Sequence, residues 1–338
     1  TYTVNDQLTL RGGVGLYTGG DPNVWLSNNY SANNVLQFGQ RGRSFGYTDG
    51  SRSLFDSDVV YEAVEDGAPA GPGYGIPQEL FDAVAGGTGD NFEINYLDPS
   101  FDLPSEWKYS IGLTYEFENN MTFQGDLLLT KGKDTAIILR GDLERVGTTA
   151  AGYPQYDSVR EPSFVLTNSS EGNESLLASF SLSKFYDNGV DWTFGYAYSD
   201  AEDVQPMNSS VAFSNYTNRA FFDPQEDRLA TSNYNIAHRF TFTLNWQKMF
   251  FGDNRTIFSL YASANEGVPY SIAFNGTADP YNFTPFLDFA DNVLSPTDRR
   301  NDKDGSWWGK VDVKLEQEFG VGPYGKASAF IVIDNLTN

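Results

Sequence analysis

Residues Glu106 to Phe117 read EWKYSIGLTYEF. The odd positions, Trp107, Tyr109, Ile111, Leu113, Tyr115 and Phe117, are all apolar. The even positions, Glu106, Lys108, Ser110, Gly112, Thr114 and Glu116, hold no large apolar side chain. Strict period two makes this a β-strand with one apolar and one polar face. The apolar face is itself sorted, aromatic at both ends and aliphatic between. A strand in a soluble sandwich has no reason for that order. A strand crossing a bilayer has one, because Trp and Tyr settle at the water–lipid interfaces and aliphatic side chains in the hydrocarbon. From Trp107 to Phe117 the strand measures roughly 33 Å at about 3.3 Å per residue. A tilt of about 40° leaves a rise of roughly 25 Å, the height of the apolar band on an outer-membrane barrel.

The same alternation recurs on both sides. Upstream, Leu8, Leu10, Gly12, Val14 and Leu16 alternate with Thr9, Arg11, Gly13, Gly15 and Tyr17. Downstream, a tight turn at Glu118 to Asn120 leads to Met121, Phe123, Gly125, Leu127 and Leu129, with Leu128 breaking the polar series. Further strands are expected over Leu176–Ser183, Val190–Ser199, Tyr234–Gln247, Ile257–Ala264, Trp307–Phe319 and Ala327–Ile333. Asn188-Gly189 before the second of these is a hairpin signal, since both residues accept positive φ. In Ile257–Ala264 both parities are apolar or small, so its facing stays open. The connections alternate long and short, with long irregular stretches near Thr18–Ser105, Lys131–Asn173, Asp200–Asn233 and Glu266–Ser306. Short periplasmic turns and long extracellular loops produce that alternation in outer-membrane barrels. The expected fold is therefore all-β: an antiparallel up-and-down transmembrane β-barrel, present in part as about nine strands. Single-chain bacterial barrels have an even number, so residues 1–338 read as one portion of a barrel, with strands expected before Thr1 and after Asn338.

Composition sets outer bounds. The 338 residues are 40% hydrophobic and 15% aromatic, and none of the apolar runs nears the length of a membrane helix. The mean hydropathy of -0.42 is compatible with a barrel, where only alternate residues meet lipid. The absence of cysteine rules out a disulfide scaffold and a cysteine-based zinc site. A net charge of -23 makes nucleic acid an unfavourable partner.

Five stretches resemble the carboxyl-terminal barrel of TonB-dependent receptors, specifically the Oar-like branch. They are Arg11–Ser31 (RGGVGLYTGGDPNVWLSNNYS), Asp98–Phe117, Asn188–Val204, Gly267–Gly276 and Ala329–Asn338 (AFIVIDNLTN). The resemblance implies a barrel of about 22 strands. It also implies a plug domain in the lumen and coupling to TonB–ExbB–ExbD in the outer membrane of a Gram-negative bacterium. Residues 1–338 hold neither a plug nor a TonB box.

Several residues are candidates for function. Arg11, Asp126, Asp191, Arg239, Lys310, Asp312, Lys314 and Glu316 fall on the polar parity and are expected in the lumen, paired across strands or facing plug and solute. Trp107, Tyr109, Tyr115, Phe117, Trp192, Trp246, Trp307 and Phe319 are expected as lipid-facing girdle. His238 is the sole histidine, on the apolar parity, and is expected as an interfacial aromatic. No nucleophile–base pair can be assembled around it, so no catalytic residue is expected. The loop Asn301–Ser306 begins like a calcium loop, but position twelve from Asp302 is Val313, so the EF-hand pattern fails. A solvated acidic loop is the expectation, with loose Ca²⁺ binding by Asp291, Asp298, Asp302 and Asp304 as the alternative. Loop aromatics (Trp25, Tyr30, Phe45, Tyr47, Tyr74, Phe81, Tyr153, Tyr156, Tyr216, Phe221, Tyr281 and Phe286) either stack on a ligand or form small loop cores.

The function expected is an outer-membrane receptor barrel that captures a large solute through its loops and passes it inward. The rivals are a surface adhesion barrel, and a secreted all-β carbohydrate-binding or glycosidase domain. Aspartate at Ile111 or Leu113 should block membrane assembly, whereas aspartate at Thr114 should be tolerated. A folded-fraction assay in outer-membrane extracts reads the difference, and equal tolerance at all three positions would favour the soluble rival.

Overall fold

The computed structural model describes residues 1–19, 85–86, 94–150, 152–159, 163–274, 293–295 and 297–337. Nine long strands form its frame: β1 (Leu8–Thr18), β2 (Ser105–Phe117), β3 (Met121–Lys133), β4 (Glu174–Phe185), β5 (Val190–Asp203), β6 (His238–Phe251), β7 (Asn254–Asn265), β8 (Trp308–Gly320) and β9 (Lys326–Ile333). They lie side by side in chain order in one antiparallel sheet, with the short pieces Tyr2–Thr3 and Ala230–Thr231 added on β1 and β5. No described helix is long and apolar enough to cross a membrane.

The register puts the alternating residues in rows. Val14, Tyr109 and Leu129 share one cross-strand row, and Gly12, Ile111, Leu127 and Ala178 the next but one. Phe194, Phe242, Ala262, Val311 and their neighbours continue the same face. The ambiguity of β7 is thereby resolved: Phe258, Leu260, Ala262 and Ala264 share this face, while Ser259, Tyr261 and Ser263 point to the other. Leu128 sits opposite Leu177 on the polar face, so its break in the pattern is one half of a cross-strand apolar pair.

None of the described residues forms a layer over the apolar face. Ile111 is 64% exposed, as is Val14, and Leu127, Phe180, Leu315 and Ile331 are exposed too. None of the described buried hydrophobic residues lies in any of the nine long strands; they run instead through the connections, from Ala136 and Ile138 to Phe221 and Leu294. The wall has no protein core. All the short turns (118–120, 186–189, 252–253 and 321–325) are at one end, and the long connections at the other.

Parts of three of those connections fold together, which corrects the expectation of irregular stretches. Between β3 and β4, strands Ala136–Arg140 and Ser163–Asn168 pair antiparallel, and Ile94–Leu97 adds parallel to Ser163–Asn168. A hairpin joins Leu143–Thr148 to Pro154–Ser158. The helix α1 (Ala212–Thr217) packs on this small sheet, and Ile138, Phe164, Leu166 and Tyr216 form its core. Ala136–Arg140 would leave a buried edge of unpaired backbone groups. Two glutamine amides close it: Gln205 bonds the N–H and C=O of Ile138 at 2.8 and 3.1 Å, and Gln225 those of Arg140 at 2.9 and 2.6 Å. An edge strand directs its free groups sideways at every second residue, which the two glutamines match.

Strand ends also shift. β6 begins at His238 rather than Tyr234, because Ala230–Thr231 pairs with the top of β5 and Asn235 turns back onto Ser232. β3 and β5 run on to Lys133 and Asp203, and β8 starts at Trp308, one residue after Trp307.

The Asn188-Gly189 turn carries a positive φ of 83° at Gly189. A Cβ there would also run into the Gln247 carbonyl oxygen of β6. Gly189→Ala should therefore destabilise the sheet by about 1–3 kcal/mol, read as a lower urea midpoint for folding in detergent. Asn188→Ala, lacking the clash, should cost less.

Candidate functional site

The polar face is a trough. Arg11, Gly112, Asp126, Ser179, Ala197 and Arg239 occupy one cross-strand row over β1 to β6. Arg11 grips Asp126 with two nitrogens, Nε to Oδ1 at 3.0 Å and Nη2 to Oδ2 at 2.8 Å, and donates from Nη1 to Thr114 Oγ1 at 2.7 Å. These two residues are not on neighbouring strands. The guanidinium passes over β2 at Gly112, where any Cβ would meet Asp126 Oδ1. A Cβ at 112 would have to push the Asp126 carboxylate aside, so glycine here lets the bridge lie close to the sheet. Beyond Asp126 the row narrows to Ser179 and Ala197, leaving a hollow of about 320 Å³ bounded on the far side by Arg239 and Thr241. Arg239 makes no ion pair among the described residues.

The other sequence candidates separate differently. Asp191 accepts from Asn245 Nδ2 across the strands at 2.9 Å. Lys310–Asp312 and Lys314–Glu316 pair along β8, both at 2.6 Å, rather than across strands as expected. Period two puts residues i and i+2 on the same face, which makes the along-strand pair available. A cross-strand pair that the sequence reading missed joins Arg255 to Glu318 at 2.5 Å. The aromatic candidates lie on the other face, near strand ends. Trp107 stacks beside Tyr109, and Trp307 stacks on His238, whose Nδ1 lies 2.8 Å from Tyr196 Oη. Tyr115 and Phe117 meet edge to face, as do Trp246 and Phe250. Trp192 pairs with Leu244, and Phe319 with Ala327.

The loop candidates fall in three groups. Tyr153, Tyr156, Tyr216 and Phe221 are buried, so for these four the loop-core alternative applies and not the stacking surface. Trp25, Tyr30, Phe45, Tyr47, Tyr74, Phe81, Tyr281, Phe286 and Asp291 lie outside the described residues. Asp298, Asp302 and Asp304 are described; Asp302 pairs with Lys303 at 3.1 Å. No three acidic or histidine side chains converge as metal ligands among the described residues.

The folded loops carry their own charged interior. Asp142 is fully buried; it accepts from Arg140 Nε at 2.6 Å, Ser163 N–H at 3.0 Å and Ser158 Oγ at 2.9 Å. Burial pushes its carboxyl up, but the Arg140 guanidinium and the hydrogen bonds from Ser163 and Ser158 outweigh that and hold it below the usual carboxylate range. Tyr156 donates to Asp223 at 2.8 Å, and burial first, then that carboxylate, push its phenol up. Nothing in the period-two pattern signals these residues. The continuous apolar run Ala136–Leu139 was the available cue, since a short run without alternation marks a strand buried on both faces.

A family model described as outer membrane beta barrel domain matches residues 1–319. No curated protein matches the chain. Among solved structures, the outer membrane transporter YddB from Escherichia coli is similar at 12% identity and a TM-score of 0.41, over 78% of this chain and 33% of that one. The chain thus spans about a third of that protein's length.

Asp142, with its carboxyl held low in the folded state, contributes stability that is present above the unfolded pKa near 4 and lost as pH falls through the folded value. Acid should therefore loosen the loop domain before the strand wall, seen as loop proteolysis at low pH while the β-sheet circular dichroism persists. Asp142→Asn should reproduce this at neutral pH, at a cost of about 3 kcal/mol for breaking the buried Arg140–Asp142 pair. Loops as resistant in the variant as in the parent would contradict the assignment.

Proposed function

Because the chain belongs to the outer membrane β-barrel domain family, we propose that it forms part of the wall of a TonB-dependent receptor of the Oar-like kind. Its folded loops would capture a large solute outside the cell, and its polar trough would line the route inward. One observation carries this reading: the wall exposes its apolar face while every described buried hydrophobic residue sits in the connections. That arrangement fits hydrocarbon around the wall and water around the loops. The aromatic side chains at strand ends would form the two interfacial girdles.

The trough supports passage rather than chemistry. Its groups are paired ions, serine and threonine hydroxyls and a guanidinium with no ion pair among the described residues, and the sole histidine lies on the opposite face. Such a surface holds water, and a plug domain would find hydrogen-bond partners there. The edge strands β1 and β9 would pair with further strands of the closed wall, since hydrocarbon leaves no backbone group unpaired. Coupling to TonB–ExbB–ExbD rests on the sequence resemblance.

A strain lacking this protein and a strain lacking the TonB homologue should lose growth on the same large solute, with cell attachment unchanged. Loss of attachment with no growth defect on any solute would replace transport by adhesion.

A further inference from the structure

The loop domain contains a buried arginine cluster that neither the trough nor the small core explains. Arg219 and Arg300 are each only 5% exposed, and they line one cleft together with Glu226, Arg228, Asp298 and Arg299. Arg300 donates from Nη2 to Asp203 Oδ1 at 2.6 Å and to the Ala230 carbonyl at 3.3 Å. Its Nη1 has no partner among the described residues. Arg219 donates from Nη2 to the Pro224 carbonyl at 2.8 Å and lies over the Phe221 ring, while its Nε has no partner among the described residues. Two guanidinium groups are thus buried near each other, each with an N–H left over. Burial, and among other charges the repulsion from Arg300, lower the Arg219 pKa. Glu226 and Asp298 are the acids in the cleft; the Glu226 and Arg219 charges favour each other, but burial outweighs this and pushes the Glu226 carboxyl up, and no ion-pair contact joins it to either arginine among the described residues. Arg228 and Arg299 are exposed at the mouth of the cleft and are unpaired among the described residues.

Unpaired buried N–H groups are rare because each forfeits hydrogen bonds to water. A guanidinium presents its donors in a planar fork suited to the oxygens of a carboxylate or phosphate. The enclosed space is about 10 Å³, room for a single oxygen atom rather than a whole anion.

We propose that this cleft is an oxyanion site on the loop domain. It takes one oxygen of a carboxylate or phosphate group between Arg219 and Arg300, with the rest of the group held at the mouth by Arg228 and Arg299. The site deepens the receptor reading by assigning an anionic group to the captured solute. It does not depend on transport, since a barrel that moved nothing would still bind at its loops.

The test is isothermal titration of the full chain, folded in detergent, with inorganic phosphate and with acetate at constant ionic strength, against chloride. The expected result is saturable one-to-one binding of one or both oxyanions and none of chloride; the stronger of the two names the headgroup. The double variant Arg228→Gln, Arg299→Gln changes only exposed, unpaired side chains and should fold normally, with binding weakened about tenfold or more through the lost charge-assisted contacts. Glu226→Gln removes the competing acid and should tighten binding. No saturable heat with either oxyanion, or equal affinity in the double variant, would overturn the site and leave a resident water as the partner of both N–H groups.

Discussion

Hydrocarbon offers a peptide group no hydrogen bond, and this single constraint orders the molecule. A strand can enter it only if a neighbour on each side takes up its N–H and C=O groups. The seven inner strands, β2 to β8, meet that demand in chain order, with unbroken antiparallel registers from β1 to β9 apart from one irregularity near Met249. Once the backbone is satisfied sideways, the two faces are free to differ. One becomes apolar and uncovered, the other polar and ion-paired. The Arg11–Asp126 bridge over Gly112 shows how closely the polar face is fitted, since a Cβ on the strand between would displace the Asp126 carboxylate.

Folding driven by a buried core is moved to the loops. There, water is present, and the usual rules return: apolar side chains gather around Ile138 and Phe164, edge backbone groups are closed by Gln205 and Gln225, and Asp142 is buried only with full hydrogen bonding. The wall and the loop domain thus solve opposite problems in one chain. Barrel fold, membrane location and family agree with one another. In the proposed receptor the solute would be chosen at the loops, where the proposed arginine cleft would favour an anionic group.

The wall was legible in the sequence because alternation is forced at every residue. Trp107 to Phe117 reported its own length, facing and end-to-end order. The loop domain was not legible by alternation, because its strands are four to six residues long and Ala136–Arg140 is largely hidden on both faces. Strand ends failed where a loop residue pairs back, as at Ala230–Thr231, and ion pairs failed where along-strand and cross-strand partners compete, as at Lys310 and Asp312. Arg219 and Arg300 are distant in sequence and meet only through the folded loops, so pattern alone could not join them.

The central claim is that alternate wall side chains touch lipid. The sequence has no cysteine, so single cysteines at Ser110, Ile111, Leu113 and Thr114 can each carry a spin label in the membrane-inserted protein. Collision with dissolved oxygen should dominate at Ile111 and Leu113, and collision with a water-soluble nickel complex at Ser110 and Thr114. Labels at Ile111 and Leu113 shielded from both reagents, or four positions without alternation, would contradict it.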